Sequence, residues 1–285
     1  MANSWVLITG ASRGLGSHLV SSFWHAGWNV ALVARDKKVL LQVLGNLPKQ
    51  SNQSALIFPC DLSLPKAVIK LAQQIKKQLP RLDVLINNAA IHGPIGPLIE
   101  NNFTVWNEAI QVNLLAPVAL CHQLIDFITY SGGGSIINLS GGGATGPRAN
   151  FTAYASAKAA LVRFSETLAQ EVQAQNIRVN CIAPGAMKTS LLEGVITSGT
   201  NLAGKREFDI AEKVFSQGGA SLDNIANLAL FLASESSQGI SGKLISAVWD
   251  DWQEWPKHVE QLQASDAYTL RRIAGRERGM DWGDT

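Results

Sequence analysis

Residues 5–16 read WVLITGASRGLG, an apolar segment that runs directly into a glycine-rich turn. Residues 14–26 follow with the apolar spacing of a helix. Glycine lets the backbone take positive φ and approach a phosphate closely, and a following helix offers free N–H groups and the positive end of its dipole. The stretch predicts a strand, a nucleotide-binding turn and a helix, with a plain tight turn as the alternative. The turn residues proposed to contact a cofactor are Gly10, Ser12, Arg13, Gly14, Leu15 and Gly16.

Outward from this unit, short apolar runs alternate with longer helical patterns. Most of the runs are nearly continuous apolar segments, which is typical of strands covered on both faces. The strand candidates are WVLIT (5–9), NVALVA (29–34), SALIFPC (54–60), DVLINN (83–88), GSIINLS (134–140), IRVNCIA (177–183) and KLISAV (243–248). Helical patterns lie at 14–26, 63–78, 103–129, 152–174 and 221–234. The alternation predicts an α/β fold, a doubly wound parallel sheet of about seven strands with helices on both faces.

Two regions depart from this alternation. Residues 186–220 are rich in Gly, Ser and Thr and lack a clear period, so we expect a mobile lid or a poorly ordered loop there. We expect residues 1–248 to form one domain and residues 249–285 to be an extension that packs on it or on a neighbouring subunit. The extension carries four tryptophans that either anchor it, which we favour, or cover a pocket. They are Trp249, Trp252, Trp255 and Trp282.

Composition and charge exclude several classes of protein. The chain has 285 residues, a net charge of +2 and scattered basic residues, which argues against a protein that binds nucleic acid or a membrane surface. The segment MANSWVLITG is expected to be a buried strand rather than a signal peptide, and we expect no apolar stretch long enough to cross a bilayer. Cys60, Cys121 and Cys181 are widely spaced in apolar segments. They favour buried free thiols over a disulfide or a metal site, and hence a reducing cytoplasm.

The end of the second strand indicates which nicotinamide cofactor is preferred. Where an acidic residue would hold the adenosine ribose, the sequence reads Ala34-Arg35. Together with Arg13, this favours a 2′-phosphate and therefore NADPH. Asp36 would reverse the preference if its side chain turned inward, and its alternative role is a helix N-cap.

The ends of the third and fourth strands add further cofactor candidates. Asp61, followed by Leu62, either accepts a hydrogen bond from the adenine amino group or caps the next helix. Asn87 and Ala89 belong to the sequence NNAA, whose amides and small residues suit a backbone pressed against the cofactor. A polar turn is the alternative.

Tyr154 and Lys158 stand four residues apart in a helical pattern, which places them on one helix face. A phenol ordinarily ionises near pH ~10, and a neighbouring ammonium favours the phenolate. The pair therefore suits proton transfer to a carbonyl oxygen or from an alcohol. In isolation the same spacing is more often found on an ordinary helix surface, so its place after the fifth strand of this sheet carries the argument.

Taken together, these motifs resemble those of the short-chain dehydrogenase/reductase family over roughly residues 4–248. The matching motifs are TGASRGLG (9–16), NNAA (87–90), Asn113 in QVNLLAP, Tyr154-x-x-x-Lys158 and Pro184-Gly185. The resemblance implies a single Rossmann-type domain, hydride transfer with a nicotinamide cofactor and no metal. It implies that Tyr154 is the acid/base, that Lys158 binds the nicotinamide ribose and lowers the Tyr154 pKa, and that Asn113 bends its helix and holds a water. The residues it implies beside the nicotinamide are Pro184, Gly185 and Thr189.

The sequence departs from the family pattern at the position of its usual serine. Counting back thirteen residues from Tyr154 gives Gly141, within a run of three glycines, and the serine is Ser140. The departure has three possible interpretations. In the first, a bulge restores the hydroxyl from Ser140, or Thr145 replaces it. In the second, which we favour, the glycines make room for a substrate whose own hydroxyls or a bound water fill the gap. In the third, catalysis is impaired and the protein mainly binds nucleotide.

The sequence therefore predicts an NADP-dependent oxidoreductase that interconverts a carbonyl and a secondary alcohol on a small organic substrate. A sugar-like or secondary-metabolite substrate is preferred. The alternatives are a nucleotide-binding protein with little turnover, because Gly141 replaces the usual serine, and an epimerase or dehydratase acting on nucleotide sugars. By analogy with the family, helices 103–129 and 152–174 are expected to form the interface of a homodimer or homotetramer.

Overall fold

The computed structural model describes residues 4–282 and contains the predicted parallel sheet of seven strands, in the order β3-β2-β1-β4-β5-β6-β7. The strands are β1 (Trp5–Thr9), β2 (Asn29–Ala34), β3 (Ala55–Pro59), β4 (Val84–Asn87), β5 (Gly134–Leu139), β6 (Ile177–Ala183) and β7 (Leu244–Ser246). Strand β1 pairs with β2 on one side and with β4 on the other. The strand order reverses there, so a crevice opens beyond the carboxyl ends of these strands.

Helices cover both faces of the sheet, as the nearly continuous apolar strands predicted. The longer helices are α1 (Gly14–His25), α2 (Lys37–Gly45), α3 (Pro65–Gln78), α4 (Phe103–Ile110), α5 (Ala116–Tyr130), α6 (Thr152–Glu171), α7 (Ser190–Ala203), α8 (Lys205–Gln217) and α9 (Leu222–Ala233). Strand β1 illustrates the two-sided core. Val6 and Ile8 belong to the cluster with α1 and α9, whereas Trp5 and Leu7 belong to the cluster with α3 and α5. The predicted fold class is confirmed.

The expectation of a poorly ordered loop at 186–220 is wrong, because α7 and α8 occupy most of this region, whereas the alternative of a mobile lid stays a prediction. Glycines hid the helical period. Gly199, at φ 68°, interrupts α7, and Gly204, at φ 82°, separates it from α8. Val195 of α7 and Ala211 of α8 are nevertheless fully buried. The segment KREFDIAEKVFSQ of α8 alternates apolar and charged residues at helical spacing, so the signal was present in the sequence.

The expectation that no apolar stretch is long enough to span a bilayer is also wrong, because one helical run is long and apolar enough by length and composition alone. The helical run Phe103–Tyr130 has 28 residues and contains an 18-residue window with a mean hydropathy of 1.4, which meets the length and composition of a span. In the fold this run consists of α4, a π-helical turn at Gln111–Leu115 and α5. Leu120 and Leu124 of α5 are fully buried in the core on one face of the sheet. The run therefore has the place of a core helix.

The extension after β7 packs on the domain by its central part. Trp255 is buried and its ring lies 4.3 Å from that of Tyr268, while Trp252 lies 5.1 Å from Phe231 of α9. A single helical turn, α10 (Val259–Gln263), ends before Ser265 and Asp266, and no longer amphipathic helix forms in the described part. Trp249, in contrast, is 85% exposed. Of the four tryptophans, Trp252 and Trp255 therefore pack against the fold, whereas Trp249 and Trp282 are exposed.

The three cysteines are free and buried, as predicted. Burial raises the pKa of the Cys60 thiol to about 11 and the pKa values of Cys121 and Cys181 to about 12. Thiols with such pKa values are poor nucleophiles near neutral pH.

Candidate active site

One cavity of about 990 Å³ lies beyond the carboxyl ends of the strands and gathers nearly all the residues proposed from the sequence. Asn87 and Asn113 are the two that do not line it. The proposed residues that do are Gly10, Ser12, Arg13, Gly14, Leu15, Gly16, Arg35, Asp61, Leu62, Ala89, Ser140, Tyr154, Lys158, Pro184, Gly185 and Thr189. The cavity therefore joins the glycine-rich turn to the Tyr-Lys pair.

The glycine-rich turn is shaped by close approaches between backbone segments. Gly10 has φ 67°, and a Cβ there would stand 2.8 Å from the Ala89 Cα. A Cβ on Gly16 would collide with the Gly10 carbonyl oxygen. Helix α1 begins at Gly14, and no side chain caps its first N–H groups. These free N–H groups face the cavity end of the turn, which is the arrangement that binds a pyrophosphate.

Two neighbouring asparagines at the carboxyl end of β4 have opposite roles. Asn88 donates from Nδ2 to the Thr9 carbonyl oxygen at 2.8 Å and thereby ties β4 to the glycine-rich turn. Asn87 instead turns into the core, where its Nδ2 donates to the Asn138 side chain at 2.8 Å. Asn138 in turn donates to Ser165 at 2.7 Å. Asn87 therefore supports the strand ends from behind, and the residue that sequence reasoning missed is Asn88.

The part of the cavity beside the end of β2, where the adenosine is expected, has cations on its wall. Arg35 and Arg13 are exposed and line it. Asp36 does not turn inward, because its Oδ1 accepts hydrogen bonds from the Lys38 and Val39 N–H groups and caps α2. The carboxyl of Asp61 accepts from the backbone N–H and hydroxyl of Ser63, and the first of these bonds is the main reason that its pKa lies below the usual range.

Tyr154 and Lys158 lie one turn apart near the start of α6, both buried. Lys158 donates from Nζ to the Leu139 carbonyl oxygen at 2.7 Å, and the same nitrogen is 5.6 Å from the centre of the Tyr154 ring. Burial lowers the pKa of Lys158 to about 8 and raises the pKa of Tyr154 to about 12. The cation that opposes this rise is Arg148 rather than Lys158. Lys158 was expected to lower the pKa of Tyr154. In the protein without cofactor, Arg148 has this effect, and the sequence analysis did not single out Arg148.

Gly141 stands directly beside the Tyr154 hydroxyl. A Cβ built on Gly141 would collide with Tyr154 Oη and would lie 3.0 Å from its Cζ. The space that a serine side chain would need is thus filled by the tyrosine, not left open for a substrate. This limits the interpretation in which the glycine at 141 widens the pocket.

Ser140 lines the cavity but makes no hydrogen bond to Tyr154. Its backbone N–H donates to the Ile182 carbonyl oxygen at 2.8 Å, so the ladder between β5 and β6 continues through it without a bulge. Its Oγ is buried and has no hydrogen-bond partner within residues 4–282. The geometry does not support a bulge that turns the Ser140 hydroxyl to the usual place.

His92 and Arg148, which the sequence analysis missed, lie beside Tyr154. The His92 ring lies 5.1 Å from the Tyr154 ring and 5.4 Å from the Phe151 ring. Burial, reinforced by the charge of Arg148, lowers the pKa of His92 to about 3, so this imidazole is neutral. Arg148 covers Phe151 and pairs with Glu207 of α8. GPRANF, in the loop before α6, was the available signal, because an arginine beside an aromatic residue there is close to Tyr154 in sequence.

Asn113 lies in the π-helical turn and is fully buried. Its Nδ2 donates to the Ile91 carbonyl oxygen at 2.7 Å, and its Oδ1 accepts from the Ile91 N–H at 3.0 Å. The extra residue of a π turn is often found at functional sites. Here it lets Asn113 hold the backbone immediately before His92.

The segment after β6, which the family resemblance implies to border the nicotinamide, lines the cavity. Gly185 has φ 78°, and a Cβ there would stand 2.8 Å from the Val248 side chain. The Thr189 methyl group lies 3.6 Å from the position of a Cβ on Gly14. Thr189 therefore faces the glycine-rich turn across the cavity, and its role beside the nicotinamide stays a prediction.

Comparisons with known proteins agree with this geometry. The family model of short chain dehydrogenases matches residues 4–198. The oxidoreductase YciK of Escherichia coli is 34% identical over 188 residues, which cover 65% of this chain and 74% of that protein. A 3-oxoacyl-[acyl-carrier-protein] reductase, FabG, of Chlamydia trachomatis is 30% identical over 246 residues, covering 86% of this chain and 96% of FabG. Among solved structures, a short chain dehydrogenase of Shigella flexneri complexed with NADP superposes with a TM-score of 0.73 and 29% identity, covering 86% of this chain and 97% of that one.

Proposed function

Because the chain belongs to the short-chain dehydrogenase/reductase family of oxidoreductases, we propose that it interconverts a carbonyl group and a secondary alcohol on a small organic substrate, with NADP as its cofactor. One observation carries the proposal. The glycine-rich turn and the Tyr154 hydroxyl open into the same cavity, and Lys158 stands one helical turn beyond the tyrosine. A cavity of about 990 Å³ is of the size that holds a dinucleotide and leaves space for a small substrate.

The residues at one end of the cavity fit a dinucleotide. A side chain at Gly10 or Gly16 would fill the cradle, and the first N–H groups of α1 remain uncapped. We assign the pyrophosphate to this turn and the nicotinamide to the segment of Pro184, Gly185 and Thr189. When bound, NADPH supplies the hydride for the carbonyl carbon.

The preference for NADP rests on charge at the end of β2. Arg35 and Arg13 offer guanidinium groups to a 2′-phosphate, which is the geometry that arginine recognises best. Asp36, the acid that would favour an unphosphorylated ribose, has its Oδ1 occupied as the cap of α2. The NADP complex of the Shigella flexneri relative supports the same preference.

We assign Tyr154 the role of the acid that donates a proton to the carbonyl oxygen. In the reductive direction the carbonyl carbon gains a hydride, the carbonyl oxygen takes the proton of the Tyr154 hydroxyl, and a phenolate remains until solvent reprotonates it. Lys158 and Arg148 flank that phenolate, each with its charged group 5.6 Å from the ring centre. Of these two cations, it is Arg148 whose charge lowers the pKa of Tyr154 against the effect of burial and so favours the phenolate. Asn113 positions the neighbouring backbone at Ile91.

The alternative of a nucleotide-binding protein with little turnover is not favoured. Gly141 replaces the usual serine, but the tyrosine and lysine are in place and share one cavity. Removing one oxyanion donor typically lowers a rate by about 10²–10³, which slows an enzyme without abolishing its activity.

Assembly and location are part of the same proposal. We infer a cytoplasmic homodimer or homotetramer whose interface is built from helices 103–129 and 152–174. Phe103 and Leu115, which are 66% and 48% exposed, offer apolar surface on the first of these helices. Residues 249–285 are assigned to the extension, with Trp255 and Leu262 buried on the 1–248 domain. Light scattering on the purified protein tests the oligomeric state.

Tyr154→Phe is the decisive test. It should remove nearly all oxidation of NADPH by a panel of aldehydes and ketones, while the dissociation constant for NADPH stays within about twofold, because the phenol moves a proton and contributes little to dinucleotide binding. Tyr130→Phe is the matched control, since Tyr130 is 87% exposed at the end of α5. The proposal fails if Tyr154→Phe keeps the turnover of the parent protein, or if the parent binds NADPH and reduces nothing in the panel.

A further inference from the structure

Arg148 is held in one orientation on the substrate side of Tyr154. Its guanidinium carbon lies 3.8 Å from the centre of the Phe151 ring, and its Nε donates to the Glu207 carboxylate at 2.8 Å. Only 11% of its side chain is exposed. Stacking on one face and an ion pair at one nitrogen fix the plane of an arginine, so its remaining donors point in defined directions.

The terminal nitrogens of Arg148 are available to a ligand. Within residues 4–282 its side chain has one hydrogen-bond acceptor, Glu207, and that bond uses Nε. Arg148 lines the cavity, and a Cβ built on Gly142 would lie 3.8 Å from Arg148 Nη1. A side chain at 142 would therefore cover the guanidinium edge. The glycine run leaves this edge open toward the cavity, on the side of Tyr154.

The other charged groups on this side leave Arg148 as the cation for a substrate. Lys158 is engaged with the Leu139 carbonyl oxygen, and His92 is neutral because burial and Arg148 lower its pKa. Glu207 is the facing carboxylate, 17% exposed and already paired with Arg148. Arg206 also lines the cavity but is exposed to solvent.

We propose that Arg148 binds a carboxylate of the substrate, and that this protein acts on oxo acids or hydroxy acids in preference to neutral carbonyl compounds. The inference rests on the proposed oxidoreductase function and names its substrate class. A planar guanidinium whose two terminal nitrogens have no acceptor within residues 4–282 matches the two oxygens of a carboxylate. The carboxylate of the substrate would bring a second negative charge close to Glu207. Removing the charge of Glu207 should therefore keep or strengthen the binding of the substrate carboxylate to Arg148.

Matched acid and ester pairs measure this selectivity directly. Pyruvate, acetoacetate and levulinate are each compared with their methyl esters, so that the reacting carbonyl is kept and the charge is removed. The parent protein should show a kcat/KM at least about tenfold higher for the acid of its best pair, the range expected for hydrogen bonds to a charged group. The position of the best pair reports the distance between the carbonyl and the carboxylate.

Variants separate a recognition role from a general charge effect. Arg148→Gln should lower the acid-to-ester ratio about tenfold or more, and Glu207→Gln should keep or raise it. Arg206→Gln removes the same charge nearby and should change the ratio by less than about threefold, because its charge is screened by solvent. Arg148→Lys keeps the charge but loses the planar fork, and it should lose most of the ratio. If Arg148→Gln fails to fold, Arg148→Lys and Glu207→Gln decide the question.

Binding of acetoacetate to the protein saturated with NADP⁺ distinguishes this inference from the proposed function. A ketone and an oxidised nicotinamide cannot react, so calorimetry reports recognition alone. Binding that is lost in Arg148→Gln and absent for the methyl ester supports the carboxylate site even if no substrate is turned over. An equal rate for acids and esters, unchanged in Arg148→Gln, overturns the site while leaving the oxidoreductase intact.

Discussion

The two ends of the cavity are built in different ways. At the nucleotide end, the cradle is backbone against backbone, with Gly10 against Ala89 and Gly16 against Gly10. At the substrate end, side chains meet from separate parts of the chain. Arg148 pairs with Glu207, which is 59 residues away. The first end needs the absence of side chains within a short stretch, whereas the second needs particular side chains that only the fold brings together.

Glycine is therefore found at the two ends of the cavity for two different structural reasons. Gly16 is required because its neighbour is a backbone oxygen that cannot move aside. Gly141 has the hydroxyl of Tyr154 as its neighbour, the far end of a side chain, so a Cβ there would displace the phenol rather than meet rigid backbone. The same substitution should therefore break cofactor binding at one end and catalysis at the other.

Gly16→Ala should have the largest effect on the nucleotide end. The added methyl collides with the Gly10 carbonyl, and overpacking against rigid backbone costs about 3 kcal/mol or more at such a site. We expect the dissociation constant for NADPH, measured by fluorescence titration, to rise about a hundredfold or more. Gly45→Ala is the control, because nothing lies within 4 Å of its Cβ position. Tight NADPH binding by Gly16→Ala would remove the assigned pyrophosphate site.

Gly141→Ser restores the residue type that is usual in the family, yet it should lower activity. The new Cβ collides with Tyr154 Oη, so the phenol must shift, and a displacement of ~1 Å in a catalytic group can cost about 10²-fold. We expect kcat to fall about tenfold to a hundredfold while NADPH affinity stays the same. Gly146→Ser, in the same loop with nothing within 4 Å, should be nearly neutral. A faster enzyme with serine at 141 would contradict the fit between this glycine and the tyrosine.

How far the sequence predicted each region follows from the same contrast. All seven strands were found, β1, β2 and β6 with their observed bounds, because buried parallel strands carry their signal locally. The cradle was found for the same reason. Arg148 and His92 were missed because their meaning comes from packing against Tyr154 and Phe151, which no spacing in the sequence encodes. Helices α7 and α8 were missed because Gly199 and Gly204 interrupt their period.

Arg35→Ala tests the cofactor preference at the nucleotide end, and it should reduce NADPH affinity less than Gly16→Ala does. An exposed arginine on a phosphate contributes a charged hydrogen bond that solvent weakens, so we expect NADPH affinity to fall about tenfold and NADH affinity to change by less than about twofold. Lys37→Ala, an exposed cation two residues further on, is the control. Titration with both cofactors measures the ratio. Equal losses for NADPH and NADH would remove the basis for the 2′-phosphate assignment.

Lys158, where the two ends of the cavity meet, gives a prediction on stability. Burial lowers its pKa to about 8 from the ordinary 10.5. Between these values the unfolded chain holds a proton that the folded protein has released, so folding stability rises with pH across this interval. Below about pH 8 both states are protonated and the penalty of burying the charge is present in full. Lys158→Met should remove this slope, which is at most about 1.4 kcal/mol per pH unit.

The measurement is best made between about pH 8 and 9 on the cofactor-free protein, by denaturant unfolding of parent and variant side by side. The buried thiols oppose the trend above their ordinary pKa of 9.0, since the unfolded chain then loses protons that the folded protein keeps. The difference between Lys158→Met and its parent cancels that contribution because both contain the thiols. Lys70→Met, exposed on α3, should leave the slope unchanged. Parallel pH profiles for Lys158→Met and the parent would mean that the ammonium is better solvated than its burial and its single bond to Leu139 indicate.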